Sequence, residues 1–225
     1  MFQDAAGTTP VTAPGQPVGL MLDKSGNGHH ASQATASKRP TYQTDGTLHY
    51  LSFDGVDDAM QTADIDFTGT DEMSVFAGVR RLSGSTAAFV ELGASGTGSH
   101  RYALYANNPS GVFSFTGRGS AAAHPDQLAQ SSFSATPDSA VVSAFGNISA
   151  AANSIRKNGV EGSVASWDQG VGSYGDDLLN IGARNQTSLF FNGHLYGLTI
   201  VGKTTTDAEI ANTERHLAGK TGVTL

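Results

Sequence analysis

Arg101-Tyr-Ala-Leu-Tyr-Ala-Asn-Asn-Pro-Ser-Gly-Val-Phe-Ser-Phe-Thr-Gly117 holds two short alternating runs joined by a turn-forming Asn-Asn-Pro-Ser-Gly. In the first run Tyr102 and Leu104 share one face of an extended chain, while Arg101 and Tyr105 share the other. In the second, Phe113 and Phe115 lie opposite Val112, Ser114 and Thr116. Side chains on a strand alternate with a period of two, so each run predicts a strand with an apolar face and a wetter one, as in an antiparallel sheet. Similar runs rich in β-branched and aromatic residues recur at 48–53, 73–80, 88–93, 140–148, 154–157, 178–183 and 193–201, with Gly, Asn and Asp between them. Many short strands at regular spacing predict an all-β, two-sheet antiparallel sandwich.

One helix is expected, near the C-terminus. Thr206-Asp-Ala-Glu209 reads as a capping box, in which hydroxyl and carboxylate close the orphan amides of a first turn. Ile210, Ala211, Glu214, Leu217 and Ala218 follow at helical spacing, and Gly219 with Lys220 supplies a stop, so the helix is read over 207–219. Its apolar stripe is narrow, which places it on the surface of the sandwich. Residues 1–40 are broken by Pro10, Pro14, Pro17 and the turn Lys24-Ser-Gly-Asn-Gly28, and read as an irregular arm in which 18–22 forms at most a short edge strand. A second loose region covers 118–137. No fixed-period repeat is present, so 1–225 is read as one domain, an arm (1–40) and a sandwich with its helix (41–225).

Composition removes several classes of function. Thirteen Lys and Arg against twenty Asp and Glu give a net charge of −7, which argues against nucleic-acid binding through a basic surface. Cysteine is absent, which excludes disulfides, thiolate nucleophiles and Cys-ligated metals. No apolar run approaches the ~18 residues of a membrane span. The first basic residue is Lys24, so the basic and apolar regions of a secretory signal are not expected.

Four segments carry a family resemblance. They are Leu51-Ser-Phe-Asp-Gly-Val-Asp-Asp58, Ile155-Arg-Lys-Asn-Gly159, Asn180-Ile-Gly-Ala-Arg184, and Phe191–Ile200 followed by Asp207-Ala-Glu209 and the helix to Lys220. In order and spacing they resemble the concanavalin A-like lectin/glucanase domains of the laminin-G-like type, which implies a jelly-roll sandwich. The run from Phe2 through Gly26, with Gly28-His-His-Ala-Ser-Gln-Ala-Thr35, is similar to a leader on such domains in bacteriophage and prophage structural proteins. That resemblance implies a module on a virion surface or tail fibre. The function expected is non-catalytic recognition of a bacterial surface glycan, beside other virion proteins. Two alternatives stand: a purely structural decoration domain that binds only protein, and a glycoside hydrolase.

Hydrolases of this fold use glutamates flanking an aspartate on one strand, and retaining chemistry needs two carboxyl groups ~5–5.5 Å apart. Of Glu72, Glu91, Glu161, Glu209 and Glu214, only the last two have a comparable spacing. They fall on the predicted helix, about 140° apart around its axis, so no catalytic residue is assigned. Gly93–Gly98 lacks a P-loop lysine, and the seven histidines lack zinc-ligand spacing. Sugar sites pair aromatic faces with amides, carboxylates or arginine. Tyr105, Asn107 and Asn108, with Arg118 one strand later, offer that mixture, as do Trp167, Asp168 and Tyr174. Trp167, the only tryptophan, is either a ligand contact or a lid folded on the sandwich edge.

Between Arg39 and Arg80 there is no Lys or Arg, yet Asp45, Asp54, Asp57, Asp58, Asp64, Asp66, Asp71 and Glu72 all occur. Such like charges repel unless splayed into water or neutralised by a cation. Asp54, Asp57 and Asp58 at a strand end are candidate ligands for calcium, which accepts six to eight oxygens in irregular geometry. The other reading is a solvated acidic turn in which Asp54 and Asp57 bond local amides.

Overall fold

The computed structural model describes residues 1–93, 99–108, 110–120, 128–132 and 136–225. The strands in chain order are β1 (Leu20–Met21), β2 (Ala31–Ser32), β3 (Thr41–Thr44), β4 (His49–Asp54), β5 (Met60–Asp66), β6 (Glu72–Arg81), β7 (Ala87–Leu92) and β8 (Arg101–Ala106). They continue with β9 (Val112–Arg118), β10 (Ala129–Ser132), β11 (Asp138–Asn147), β12 (Ala152–Lys157), β13 (Val160–Ala165), β14 (Asp176–Ile181) and β15 (Asn192–Val201), before helix α1 (Asp207–Thr221). An eight-stranded sheet in the order β1-β2-β5-β14-β7-β8-β9-β10 lies over a seven-stranded sheet in the order β13-β12-β11-β6-β15-β4-β3. Phe89, Tyr102, Phe113 and Phe115 from the first sheet meet Phe53, Met73, Val75 and Val142 from the second in one apolar core. The chain is an antiparallel β-sandwich, as the alternation predicts.

The predicted strands all form. Those not foreseen are β2, β3, β5, β10 and β13, and each lacks an apolar alternation. β5 ends in Asp64-Ile-Asp66, and β13 reads Val-Glu-Gly-Ser-Val-Ala with four of six residues exposed. Long-range pairing with β14 and β12 decides their conformation. The N-terminal arm is tied into the fold. Val18 is fully buried, Ser32 pairs with Gln61, and the Arg39 guanidinium donates to the carbonyls of Gln3, Gln33 and Ala34. The glycine-rich stretch 94–98 lies outside the described residues, as do 121–127 and 133–135 of the loose region.

Helix α1 has the capping box: the Thr206 hydroxyl accepts from the Glu209 amide, and the Glu209 carboxylate accepts from the Thr206 amide. It runs past Gly219 and stops at Gly222, whose left-handed φ of 71° lets its amide close on the Ala218 carbonyl. Leu217 and Ala218 pack on Phe76 and Val141, on the outward face of the seven-stranded sheet.

One sequence expectation fails in an informative way. The second face of β8 and β9 is not wet: Arg101, Tyr105, Ser114, Thr116 and Arg118 are all buried. Something covers the outward face of the eight-stranded sheet, and it holds charge.

Candidate functional site

Because Tyr102 and Leu104 point into the core, Arg101, Ala103 and Tyr105 point outward. Across β9, Arg101 stands opposite Arg118, Ala103 opposite Thr116, and Tyr105 opposite Ser114. Across β7, Ala103 stands opposite Glu91, which in turn stands opposite Asn180 of β14. Glu91 is 0% exposed. A carboxylate so placed is tolerable only when paired and hydrogen-bonded. Arg101 forms an ion pair with it through Nη1. Arg184 reaches it from the loop after β14, Nε donating to Oε1 at 3.2 Å and Oε2 at 3.3 Å. Both arginines also converge on the Tyr105 hydroxyl, Arg184 Nη2 at 2.5 Å and Arg101 Nη2 at 3.2 Å. The Arg184 guanidinium carbon lies 5.4 Å from the centroid of the Tyr105 ring, in cation–π range.

The loop that delivers Arg184 is tightly built. The Arg184 amide donates to the Ser188 carbonyl at 2.8 Å, and the Ala88 amide of β7 donates to the Leu189 carbonyl at 2.9 Å. Asn185, Gln186 and Leu189 take φ values of 47°, 52° and 50°, in a region that costs energy for a non-glycine residue, most for leucine. Leu189, with Leu128, covers Ala88, Ala103 and Tyr105. Gln33 of the arm donates to the Gln186 side chain at 2.8 Å, so the arm braces the loop.

A second loop borders the same strands. Gly119, next to Arg118, donates its amide to the Gln169 carbonyl at 2.9 Å, and Ser120 and Val171 exchange backbone bonds. This fastens the Trp167–Asp168 turn at the end of β9. Trp167 is 47% exposed, and Asp168 folds back to accept the Gly170 amide at 2.8 Å.

The seven residues singled out for sugar binding therefore separate. Tyr105 and Arg118 lie on the outward face, and Trp167 with Asp168 lies at its border. Asn107 and Asn108 serve the β8–β9 turn. Asn107 adopts a φ of 59°, and its side chain accepts the Gly111 amide at 2.9 Å and donates to the Gly84 carbonyl. The Asn108 carbonyl accepts the Ser114 hydroxyl. Tyr174 does not fit the expectation of an exposed loop ring: it is 0% exposed. Its ring packs edge-on against Tyr102, centroids 5.8 Å apart, and its hydroxyl fills the space left by the missing side chains of Gly117 and Gly146. Burial pushes its phenol well above the ordinary tyrosine range. Glu91, Arg101 and Arg184 are the site residues that the sequence reading does not select. Arg101 shares a period-two face with Tyr105, and that was the available signal. Glu91 is concealed by the register shift of β7 between Ala88 and Val90.

The acidic turn is real and compact. Oxygen atoms of Asp54, Asp57 and Asp58 lie within 4.8 Å of one another, the only such group of metal-ligating side chains among the described residues. Asp54 Oδ1 accepts the amides of Val56, Asp57 and Asp58 at 2.8, 3.3 and 3.4 Å, and Asp58 Oδ2 accepts the Asp54 amide at 3.1 Å. Asp58 is 7% exposed. Burial, followed by the negative charge of Asp54, pushes its carboxyl up to about 6. The other acidic groups of this stretch are dispersed. Asp45 accepts the amides of Thr47 and Leu48, Asp66 that of Thr68, and Glu72 that of Thr204.

No protein-family model matches the sequence, and no curated protein matches it. Solved structures do match. An arabinofuranosidase complexed with arabinofuranosyl-α-1,2-xylobiose is 12% identical, with a TM-score of 0.65 over 91% of this chain and 51% of its own. The binding domain of botulinum neurotoxin serotype G is 10% identical, with a TM-score of 0.62 over 88% of this chain and 48% of its own. A Trypanosoma rangeli sialidase in complex with the inhibitor DANA is 14% identical, with a TM-score of 0.55 over 93% of this chain and 34% of its own. The chain thus spans between about a third and a half of the length of these proteins. Among the described residues no helix is long and apolar enough to cross a membrane. At these identities the likeness concerns architecture alone: the chain shares a β-sandwich fold with parts of these proteins.

Proposed function

We propose that this domain is a non-catalytic carbohydrate-binding module of the laminin-G-like kind, carried on a phage virion or tail fibre and recognising a glycan on a bacterial surface. The observation that carries the binding role is the outward face of the eight-stranded sheet. There the partly exposed Arg184 is held in place by the buried Glu91 and Tyr105, with the half-exposed Trp167 at the border. Fixed polar groups with an aromatic surface beside them are what a sugar ring requires. The sugar complex of the arabinofuranosidase and the presence of a sialidase among the structural neighbours support the same reading. Its phage setting rests on the resemblance of residues 2–35. A non-catalytic role is favoured by how the carboxylates are engaged. Glu91 is held by two arginines, Glu214 by Ser143 and Arg156, and Glu209 by the helix cap.

Two valines on strand β13 favour the structural alternative: Val160 is 70% exposed and Val164 60%. A glycan array probed with the isolated domain, together with adsorption to bacterial cells, separates the two. Binding is expected to weaken in Trp167→Ala without change in folding. Silence on the array and failure to adsorb would leave the protein-binding reading in its place. Release of reducing sugar from polysaccharide would overturn the non-catalytic assignment.

A further inference from the structure

Glycine follows asparagine at three places: Asn27-Gly28, Asn158-Gly159 and Asn192-Gly193. In such a pair the glycine nitrogen lies within reach of the asparagine side-chain carbonyl carbon, and no Cβ obstructs the approach. Attack closes a five-membered ring wherever the surrounding structure leaves both atoms free to meet. The fold treats the three pairs differently. Gly193 is buried in β15, paired with Phe53 of β4 on one side and Arg81 of β6 on the other. Its nitrogen cannot turn toward the Asn192 side chain unless the sheet opens locally. Asn158 sits between β12 and β13 and is clamped to β11. Its Oδ1 accepts the Val141 amide at 2.8 Å, and its own amide donates to the Val141 carbonyl at 2.8 Å.

Asn27 is held by neither device. Lys24 through Gly28 are all exposed, in the turn between β1 and β2. Asp23 anchors that turn on both sides of the pair: its carboxylate accepts the Ser25 amide and hydroxyl at 2.8 and 2.7 Å, and the His29 amide at 3.1 Å. Between those anchors the Asn27 side chain and the Gly28 amide have no hydrogen-bond partner among the described residues. Gly26 and Gly28 flank the asparagine, and a Cβ built on either would meet nothing within 4 Å. Nothing there opposes the rotation that brings the Gly28 nitrogen onto Cγ of Asn27.

We propose that Asn27 is a site of spontaneous deamidation in the folded protein, and that the fold protects Asn158 and Asn192. The Gly28 amide loses its proton to solvent and its nitrogen bonds to Cγ of Asn27. The Cγ–Nδ2 bond breaks, and Nδ2 takes up a proton and leaves as ammonia. Water then opens the cyclic imide. Cleavage at Cγ gives aspartate, and cleavage at the backbone carbonyl gives isoaspartate, with the chain continuing through Cγ. Either product puts a new carboxylate in the Asp23 turn and adds one negative charge to the −7 of the chain. The test is to incubate the full chain in warm, mildly alkaline buffer, folded and in guanidinium chloride, until the unfolded sample has converted. Peptide mapping by mass spectrometry follows each asparagine, and isoelectric focusing follows the charge. In the folded chain Asn27 is expected to convert roughly tenfold or more faster than Asn158 and Asn192, which must first break their bonds. The rate at Asn27 is expected to rise with pH. In guanidinium chloride, where only the local pair matters, the three rates are expected to converge. Asn27→Gln, whose longer side chain would need a six-membered ring, is expected to remove the main acidic species with the melting curve unchanged. Equal rates at the three sites in the folded chain, faster conversion at Asn158 or Asn192, a folded-state Asn27 that stays intact, or a spread of rates that persists on unfolding would overturn the proposal.

Discussion

Asp58→Asn is expected to stabilise the protein at neutral pH and to leave it unchanged in acid. The folded chain holds the Asp58 proton up to a pH of about 6, against 3.8 for an unperturbed carboxyl, because the group is buried beside the charge of Asp54. Between those values the native state binds more protons than the unfolded state. Stability therefore falls as pH rises through that window and is flat above it. A shift of about two units at 1.36 kcal/mol each corresponds to about 3 kcal/mol once Asp58 is fully ionised. Asparagine imitates the protonated carboxyl, and its carbonyl can still accept the Asp54 amide that Asp58 accepts now. Urea melts of both proteins in EGTA at pH 3.5 and 7.5 measure the difference, and carboxylates that titrate alike in both cancel. The two proteins should coincide at pH 3.5, and the variant should lead by about 3 kcal/mol at pH 7.5, about 6–12 °C in Tm for a chain of this size. A gap that is the same at both values, or wild type more stable at pH 7.5, would refute the reasoning.

The same turn makes the calcium proposal measurable: at one hundred times its dissociation constant the ion adds about 2.7 kcal/mol, so millimolar calcium should raise the Tm of wild type but not of Asp58→Asn, and no shift against EGTA removes the site. Gly146→Ala places a methyl inside the radius of the Tyr174 hydroxyl and should cost about 1–3 kcal/mol, with Tyr174→Phe in the double variant recovering part of the loss; additive losses in a double-mutant cycle would refute the contact. Arg156→Ala strips the buried Glu214 of its guanidinium partner, 3.0 Å away, and should cost about 3 kcal/mol in urea melts at pH 7. Thr206→Ala removes the helix cap and should cost about 1 kcal/mol by the same measurement.

Local chemistry was legible in the sequence wherever the relevant partners are close along the chain. The strands around Tyr102–Leu104 and Phe113–Phe115 follow from alternation over a few residues. The helix start follows from Thr206 and Glu209, three residues apart. The acidic turn follows from five consecutive positions, and its Asp54 bonds lie within it. Placing Arg101 and Tyr105 on one face was also within reach, because a strand has only two faces.

What tertiary structure alone decided is whether that face is covered and what meets on it. Glu91 and Arg184 are 93 positions apart, joined because β14 pairs with β7 and a strained loop turns back over the sheet. Trp167 comes to the end of β9 through a backbone bond between Gly119 and Gln169. Tyr174 has the local sequence of an exposed glycine-flanked loop, yet it fills the core, since Gly117 and Gly146 on two facing strands leave room for its hydroxyl. Periodicity reports which side of a strand a residue occupies. It carries no information about the neighbour that long-range pairing sets beside it, and in this domain the charged cluster consists of such neighbours.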